Sequence, residues 1–373
     1  RTIAAEDELT TSPSGFTRDG RLLYMSSSVG RDRAALLEID WASGAERVIA
    51  EHPKADIGAA LSDPETFKVQ AVIANYTRAE YVVLDPAIAP DLAFIKSKLA
   101  GETYVTNRTR ADDKWLIAAT AAEQPGTYHL YDRKARTLTE LFSTYPQLSG
   151  FRLAGMRPHV IKARDGLELV CYLTLPASEG AAERPAKPLP MVLNVHGGPW
   201  ARDGYGYDPE HQWLADRGYA VLSVNFRGST GFGKAFVNAG DREWGRKMQE
   251  DLIDAVEWCV AEGIAIRDRV ALMGVSFGGY ATLAGLTFTP TVFRCGIDVV
   301  GPSDLETFLA TVPAYWESER AMLKRRVGDP DTPDGKALLR ERSPLHQASR
   351  ITRPLLIAQG ANDPRVPLSE STQ

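Results

Sequence analysis

The chain has 373 residues, of which 44% are hydrophobic and 24% charged, and a formal net charge of -5 at pH 7. That balance is ordinary for a soluble globular protein, and no apolar run is long enough to span a bilayer. Acidic and basic residues are interspersed, so no basic stripe offers itself to a nucleic-acid backbone or an anionic membrane, and neither is expected as a partner.

At this length one hydrophobic core is usually exceeded, and two domains are the starting expectation. Cys171, Cys259 and Cys295 stand far apart in apolar stretches, as buried thiols do, rather than at disulfide or metal spacing. The sequence opens at Arg1 without Met, and residues 1–9 contain no signal-peptide core. A cytoplasmic location is the expectation, with periplasmic and secreted locations left open because the true N-terminus looks absent.

In chain order, residues 16–142 read as short β-type runs broken by Asp, Gly and Pro. The runs 21–27 (RLLYMSS), 35–40 (ALLEID) and 47–50 (RVIA) form a series that returns at 69–74 and 81–85. It returns again at 114–120, 128–132 and 138–142. Asp40, Asp85 and Asp132 each close one member, which gives a period of roughly 45 residues, the length of a propeller blade. A β-sandwich competes but supplies no reason for the period. A short helix at 90–99 separates two of the blades. Three blades are visible where closure takes about four to eight, so the earlier part of a propeller is expected to be missing.

From about residue 156 strands alternate with helices, the signature of a mostly parallel, doubly covered sheet. Strands are predicted at 167–175, 191–195, 220–225, 270–274, 295–300 and 354–358, with a surface loop at 181–190. A helix over 243–262 would bury Met248, Leu252, Ala255 and Cys259 on one face. The expected division is therefore 1–155, the C-terminal part of a β-propeller, and 156–373, an α/β domain with a doubly wound, mostly parallel sheet.

Gly274-Val-Ser276-Phe-Gly278 lies where the strand at 270–274 gives way to a helix. A serine hydroxyl is a weak nucleophile unless held near a base, and flanking glycines permit the tight turn that projects its Oγ. Ser276 is the candidate nucleophile. An acyl-transfer site also needs oxyanion donors, and the candidates are the backbone N–H of Phe277 and that of Gly198 in His196-Gly-Gly-Pro199. His196 belongs to that loop and precedes the nucleophile, so its side chain is expected to pack or hydrogen-bond locally. Asp363, just past the strand at 354–358, is the candidate triad acid, with Asp298 and Asp304 as alternatives. Asp304 is the better fit for a helix cap. No histidine follows Asp363, and His346 in Ser-Pro-Leu-His346 breaks the expected order, so it is read as structural. The strand, helix and histidine loop that would complete the triad are expected to be missing at the C-terminal end, which would leave this chain inactive by itself.

The combination of His196-Gly-Gly-Pro-Trp-Ala-Arg-Asp203, Arg217-Gly-Tyr-Ala220, Val224-Asn-Phe-Arg-Gly-Ser229, Gly274-Val-Ser-Phe-Gly-Gly-Tyr280 and Gly360-Ala-Asn-Asp363 resembles the prolyl oligopeptidase family of serine peptidases. The likeness is strongest to its acylaminoacyl-peptidase and bacterial propeller members. It implies a propeller capping an α/β-hydrolase domain, and hydrolysis of short peptides by an oligopeptidase or acylaminoacyl peptidase. Ser276 would be the nucleophile, Asp363 the orienting acid, and Gly198 with Phe277 the oxyanion donors. Trp200, Tyr315 and Trp316 are candidates for an apolar substrate wall, with core packing an equal alternative. Arg227 would position a loop or a substrate carbonyl, although a structural ion pair suits it better. No paired glutamates of the kind dipeptidyl members use to hold a free amine stand in the visible blades. A carboxylesterase and a non-catalytic scaffold are the competing functions. No cofactor or metal is implied. Partners would be a short peptide and the remainder of the same polypeptide, with a homo-oligomer left open.

Overall fold

The computed structural model describes residues 2–180 and 182–373; Ala181, the first residue of the predicted surface loop, and Arg1 lie outside the described residues. The chain divides into two compact units. One comprises residues up to Met156 together with Gly204–Gln212 and Gly231–Ala235, and the other holds Arg157–Asp203, Trp213–Thr230 and Phe236–Gln373.

The first unit contains three small antiparallel sheets. β1 (Ser12–Phe16), β2 (Leu22–Ser27), β3 (Ala35–Asp40) and β4 (Glu46–Ala50) pair in sequence order. β5 (Ile57–Ser62), β6 (Val69–Asn75) and β7 (Ala79–Val83) form the second sheet. After helix α1 (Ala89–Lys98), β8 (Glu102–Arg108), β9 (Lys114–Ala121), β10 (Gln124–Asp132) and β11 (Thr137–Ser143) form the third. β9 alternates buried and half-buried side chains along its length, the period of a strand with one face on a core. Trp115 on that strand is fully buried, with the guanidinium groups of Arg108 and Arg133 at 4.7 and 4.8 Å from its ring and its Nε1–H donated to Asp112 at 2.7 Å.

The recurring aspartates have a common local job. Asp40 accepts the N–H of Ser43 at 2.9 Å, Asp85 that of Ala87 at 3.0 Å and Asp132 that of Ala135 at 2.9 Å. Each carboxylate satisfies a backbone donor that the turn after a strand would leave open, which is why Asp returns at that place. β1, β5 and β8 were not predicted. β1 (SPSGF) is exposed along its whole length and holds Pro and Gly, and β5 (IGAALS) is rich in small residues. Neither composition carries a strand signal, so pairing with β2 and β6 decides their conformation.

The second unit is organised by a seven-stranded mixed sheet, counted over the described residues, whose first strand begins at Met156. Its strands are β12 (Met156–Lys162), β13 (Glu168–Thr174), β14 (Leu189–Val195), β15 (Ala220–Val224), β16 (Ala265–Val275), β17 (Cys295–Val299) and β18 (Leu355–Ala358). They lie in the order β12-β13-β15-β14-β16-β17-β18, parallel from β15 to β18. β12 was not predicted, since its MRPHVIK run contains Pro and charges. Every residue of β15 is buried, as a strand covered on both faces must be.

The helices, numbered along the whole chain after α1, are α2 (Pro209–Ala215), α3 (Lys234–Asn238), α4 (Lys247–Ala261), α5 (Phe277–Phe288), α6 (Leu305–Ala310), α7 (Arg320–Arg326), α8 (Pro333–Arg342) and α9 (Ser369–Thr372). α4 buries Met248, Leu252, Ala255 and Cys259 as its spacing requires, but it starts at Lys247, so residues 243–246 of the predicted helix form a turn. Among the described residues no helix is long and apolar enough to cross a membrane. Cys171 and Cys259 are fully buried and burial pushes both thiols up, Cys259 to about 12, whereas Cys295 on β17 is half-buried.

Candidate active site

β16 ends at Val275 and α5 begins at Phe277, which leaves Ser276 alone at the junction with φ 59° and ψ -115°. A non-glycine residue with positive φ is costly and persists only where its surroundings over-determine it. Here the Ser276 N–H donates to the carbonyl of Val299 on β17 at 2.9 Å, and its own carbonyl accepts from Tyr280 at 3.0 Å. Close backbone approach fixes the flanking residues. A Cβ on Gly278 would lie 2.0 Å from the Val195 carbonyl oxygen, and one on Gly274 would lie 2.5 Å from the Gly278 carbonyl carbon. The GxSxG pattern is therefore what lets β16, the start of α5 and the end of β14 meet around one serine.

The loop after β14 abuts the same residue, since a Cβ on Gly197 would sit 3.4 Å from Ser276 Cβ. Gly198 adopts φ 120°, a conformation other residues rarely take. His196 is held away from catalytic work: Nδ1–H donates to the Gly197 carbonyl at 2.7 Å, Nε2 lies 3.0 Å from Ser229 Oγ, and the ring stacks on Phe226 at 4.5 Å. Burial pushes its imidazole down to about 4, so it stays neutral with its proton on Nδ1, while the Ser229 hydroxyl donates to the Phe226 carbonyl at 2.7 Å.

Ser276, Gly198, Phe277 and Asp363 line one cavity of about 500 Å³ in the second unit. Asp363 lies past β18, where one carboxylate oxygen accepts the N–H groups of Arg365 at 2.8 Å and Val366 at 3.1 Å. These two hydrogen bonds fix the carboxylate on its loop. The remaining wall is mostly apolar and includes Trp200, Trp244, Phe308, Trp316 and Leu323. Two of the three aromatic candidates thus reach the cavity. Tyr315 does not line it: that side chain is 63% exposed and meets Trp316 edge-on at 6.2 Å. Trp244 was not singled out from the sequence because it falls in the stretch read as helix. It packs edge-on to Phe277 at 4.6 Å and against Tyr280 at 5.1 Å, so the turn before α4 forms part of the wall.

The two alternative acids have other occupations. Asp298, on β17 in register with Gly274, is 1% exposed, accepts the Gly301 N–H at 2.9 Å and is wedged against Gly279 of α5. Burial raises its carboxyl to about 7, against the single hydrogen bond. Asp304 caps α6 by accepting the Glu306 N–H at 2.8 Å and pairs with His346 Nε2 at 3.3 Å. Asp304, Glu306 and His346 bring three metal-type donors together, a grouping that sequence spacing did not suggest, and the cap and ion pair account for it. Arg227 is an ion-pair residue: it binds Asp251 through Nε at 2.9 Å and Nη2 at 2.7 Å, and Asp165 through Nη1 at 2.9 Å. Burial opposes its charge, but the two carboxylates outweigh that and hold its proton more firmly than usual.

None of the six histidines lines the cavity. Besides His196 and His346, His52 pairs with Glu80 at 2.8 Å, His129 meets Thr127 at 2.9 Å, His159 packs on Trp258 at 5.0 Å, and His211 is buried. The arrangement brings together a projecting hydroxyl, backbone donors beside it, a fixed carboxylate and an apolar wall. Those are parts of an acyl-transfer site.

Residues 205–373 match the model of the prolyl oligopeptidase family. Over its full length the chain is 56% identical to the dipeptidyl aminopeptidase BIII of Pseudoxanthomonas mexicana, of which it covers 54%. It is also 38% identical to the dipeptidyl peptidase family member 6 of Caenorhabditis elegans, covering all of this chain and 53% of that protein. Among solved structures it resembles a Mycobacterium tuberculosis puromycin-hydrolyzing peptidase, with a TM-score of 0.79 at 25% identity over 97% of this chain and 54% of that one. The chain spans about half the length of the curated relatives it matches.

Proposed function

The chain belongs to the prolyl oligopeptidase family, and on that premise we propose that it carries the nucleophile of a serine peptidase that hydrolyses short peptides through an acyl-enzyme on Ser276. The observation that carries this reading is the strained Ser276 turn in the same cavity as Gly198, Phe277 and Asp363. Ser276 Oγ attacks the scissile carbonyl, the N–H groups of Gly198 and Phe277 receive the developing oxyanion, and water later resolves the ester. A histidine outside residues 1–373 takes the Ser276 proton and returns it to the leaving amine, with Asp363 orienting the ring. The remainder of the polypeptide is thus the partner that completes the site.

The three small antiparallel sheets are blades of a propeller whose role is to admit short peptides and exclude folded ones. Their strand-by-strand pairing and the period of roughly 45 residues support this. A second reading within the same chemistry is release of dipeptides from a free amino terminus. The names of the two relatives favour it over an acylaminoacyl peptidase. In the full-length polypeptide, a fluorophosphonate probe should label Ser276, and Ser276→Ala should abolish both labelling and peptide hydrolysis. Hydrolysis that survives in the variant, or labelling at another serine, overturns the proposal. Free and N-acetylated forms of one peptide separate the dipeptidyl and acylaminoacyl readings.

A further inference from the structure

The cavity at Ser276 is apolar over most of its wall, yet it is also lined by Glu319 and Arg365. Arg365 sits on the Asp363 loop, and its backbone N–H is committed to that carboxylate. Glu319 ends the 3₁₀ turn Ala314–Glu319 and stands directly before α7. The charged residues of α7 are matched elsewhere. Arg320 pairs with Glu317 at 2.8 Å, Lys324 with Asp331, and Arg326 with Asp241 at 2.6 Å. Among the described residues Glu319 takes part in no ion pair, and its side chain is exposed at the cavity.

A carboxylate in that position adds nothing to an apolar wall. The charges on and beside α7 neutralise one another, and the Arg365 guanidinium, among the described residues the one cation lining the cavity, faces two lining carboxylates, Asp363 and Glu319, so the cavity carries an acid in excess. Trp200 and Trp316 offer faces along which an alkyl stem can lie while a charged end remains in water. An acid beside such a wall selects for a ligand that is apolar along its length and cationic at one end.

We propose that Glu319 is a specificity-determining residue that receives a cationic nitrogen of the peptide substrate. The inference rests on the serine-peptidase reading and names the substrate chemistry of that site. The nitrogen has two sources, the side chain of a lysine-type residue or a free α-amine, and they are separated by substrate choice.

The test compares kcat/KM of the full-length polypeptide and its Glu319→Gln and Glu319→Lys variants on two substrate pairs. One pair is an N-blocked peptide amide with lysine or norleucine before the scissile bond. The other is a neutral dipeptide amide with a free or an acetylated amino end. Glu319→Gln should reduce the preference for the cationic member of one pair by about fivefold, the scale of a partly screened ion pair. The loss should appear in KM, and the neutral member should be cleaved as before. Glu319→Lys should lower the preference further, and added salt should weaken it in the wild type alone. Equal effects on charged and neutral substrates, or no effect on either pair, overturn the inference while leaving peptidase activity standing. Absence of any Ser276-dependent hydrolysis overturns both.

Discussion

Gly278 leaves no room for any side chain, because a Cβ there would stand 2.0 Å from the carbonyl oxygen of Val195. Gly278→Ala must therefore push α5 away from β14 and move Ser276 with it. A cost of at least about 3 kcal/mol is expected, with loss of fluorophosphonate labelling even where the chain still folds; chemical denaturation and labelling measured together check this. Asp298 makes a second prediction at this scale. Burial raises its carboxyl to about 7, above the ordinary value of 3.8, so between those values the folded state holds a proton that the unfolded chain releases. Stability attributable to Asp298 therefore falls as pH rises from about 4 to 7 and levels off above that. Asp298→Asn keeps an acceptor for the Gly301 N–H without a titrating proton. Its melting temperature should match the wild type near pH 4 and exceed it by a few degrees at pH 8, and a difference that is flat across this range would refute the assignment. Ser276 and the glycine loop after β14 were legible because their glycines are dictated by local backbone approach. Trp244 was not, because its place in the wall depends on stacking against Phe277 and Tyr280 across the fold.

Among the elements, the tie between the loop after β15 and α4 depends on one buried pair. Asp251 is fully buried and accepts from Arg227 through its backbone N–H at 2.8 Å as well as through its guanidinium. Desolvation raises the Asp251 carboxyl, and the Arg227 hydrogen bonds work against that rise. Removing Asp251 leaves the buried Arg227 guanidinium with only the exposed Asp165 carboxylate at 2.9 Å, whereas removing both members of the buried pair leaves an apolar gap. Asp251→Leu should thus cost about 3–5 kcal/mol, and Arg227→Met combined with Asp251→Leu should cost less than the single change. Urea unfolding of the three proteins checks the order, and strict additivity would show that the pair is not coupled. α4 itself was legible from four buried positions at helical spacing, all of which the structure buries. Its start was misplaced because residues 243–246 hold Gly245 at φ 66°, a local turn that the apolar period does not register. Of the four unpredicted strands, β1, β5 and β12 share a cause, since their own residues carry weak strand preference and their neighbours impose the pairing, whereas β8 (ETYVTNR) holds strand-forming Thr, Tyr and Val.

For the molecule as a whole, the sequence suggested a single change of pattern near residue 156, whereas Gly204–Gln212 and Gly231–Ala235 also cluster with the unit that precedes it. No local period marks these two segments, because what recruits them is side-chain and backbone bonding between residues far apart in the chain. The Gly233 N–H donates to Asp56 at 3.1 Å, and the Arg78 guanidinium lies 3.5 Å over the Tyr205 ring. Gln212 makes the strongest case. Its amide oxygen accepts the Ala154 N–H at 2.8 Å, while its amide nitrogen donates to the carbonyls of Ala154 at 2.7 Å and Ala122 at 2.9 Å, all in buried surroundings. One side chain thereby satisfies three backbone groups that have no water to turn to, the kind of bonding whose removal is costly. Gln212→Ala should lower stability by about 3 kcal/mol and speed hydrogen exchange at the Ala154 amide by roughly the same free energy. Gln212→Glu keeps the acceptor but places a charge where two donors stood, so it should be no better tolerated than alanine. If Ala154 exchanged at the wild-type rate in Gln212→Ala, the segment 204–212 would be a passenger in the first unit, and its assignment there would carry no stability.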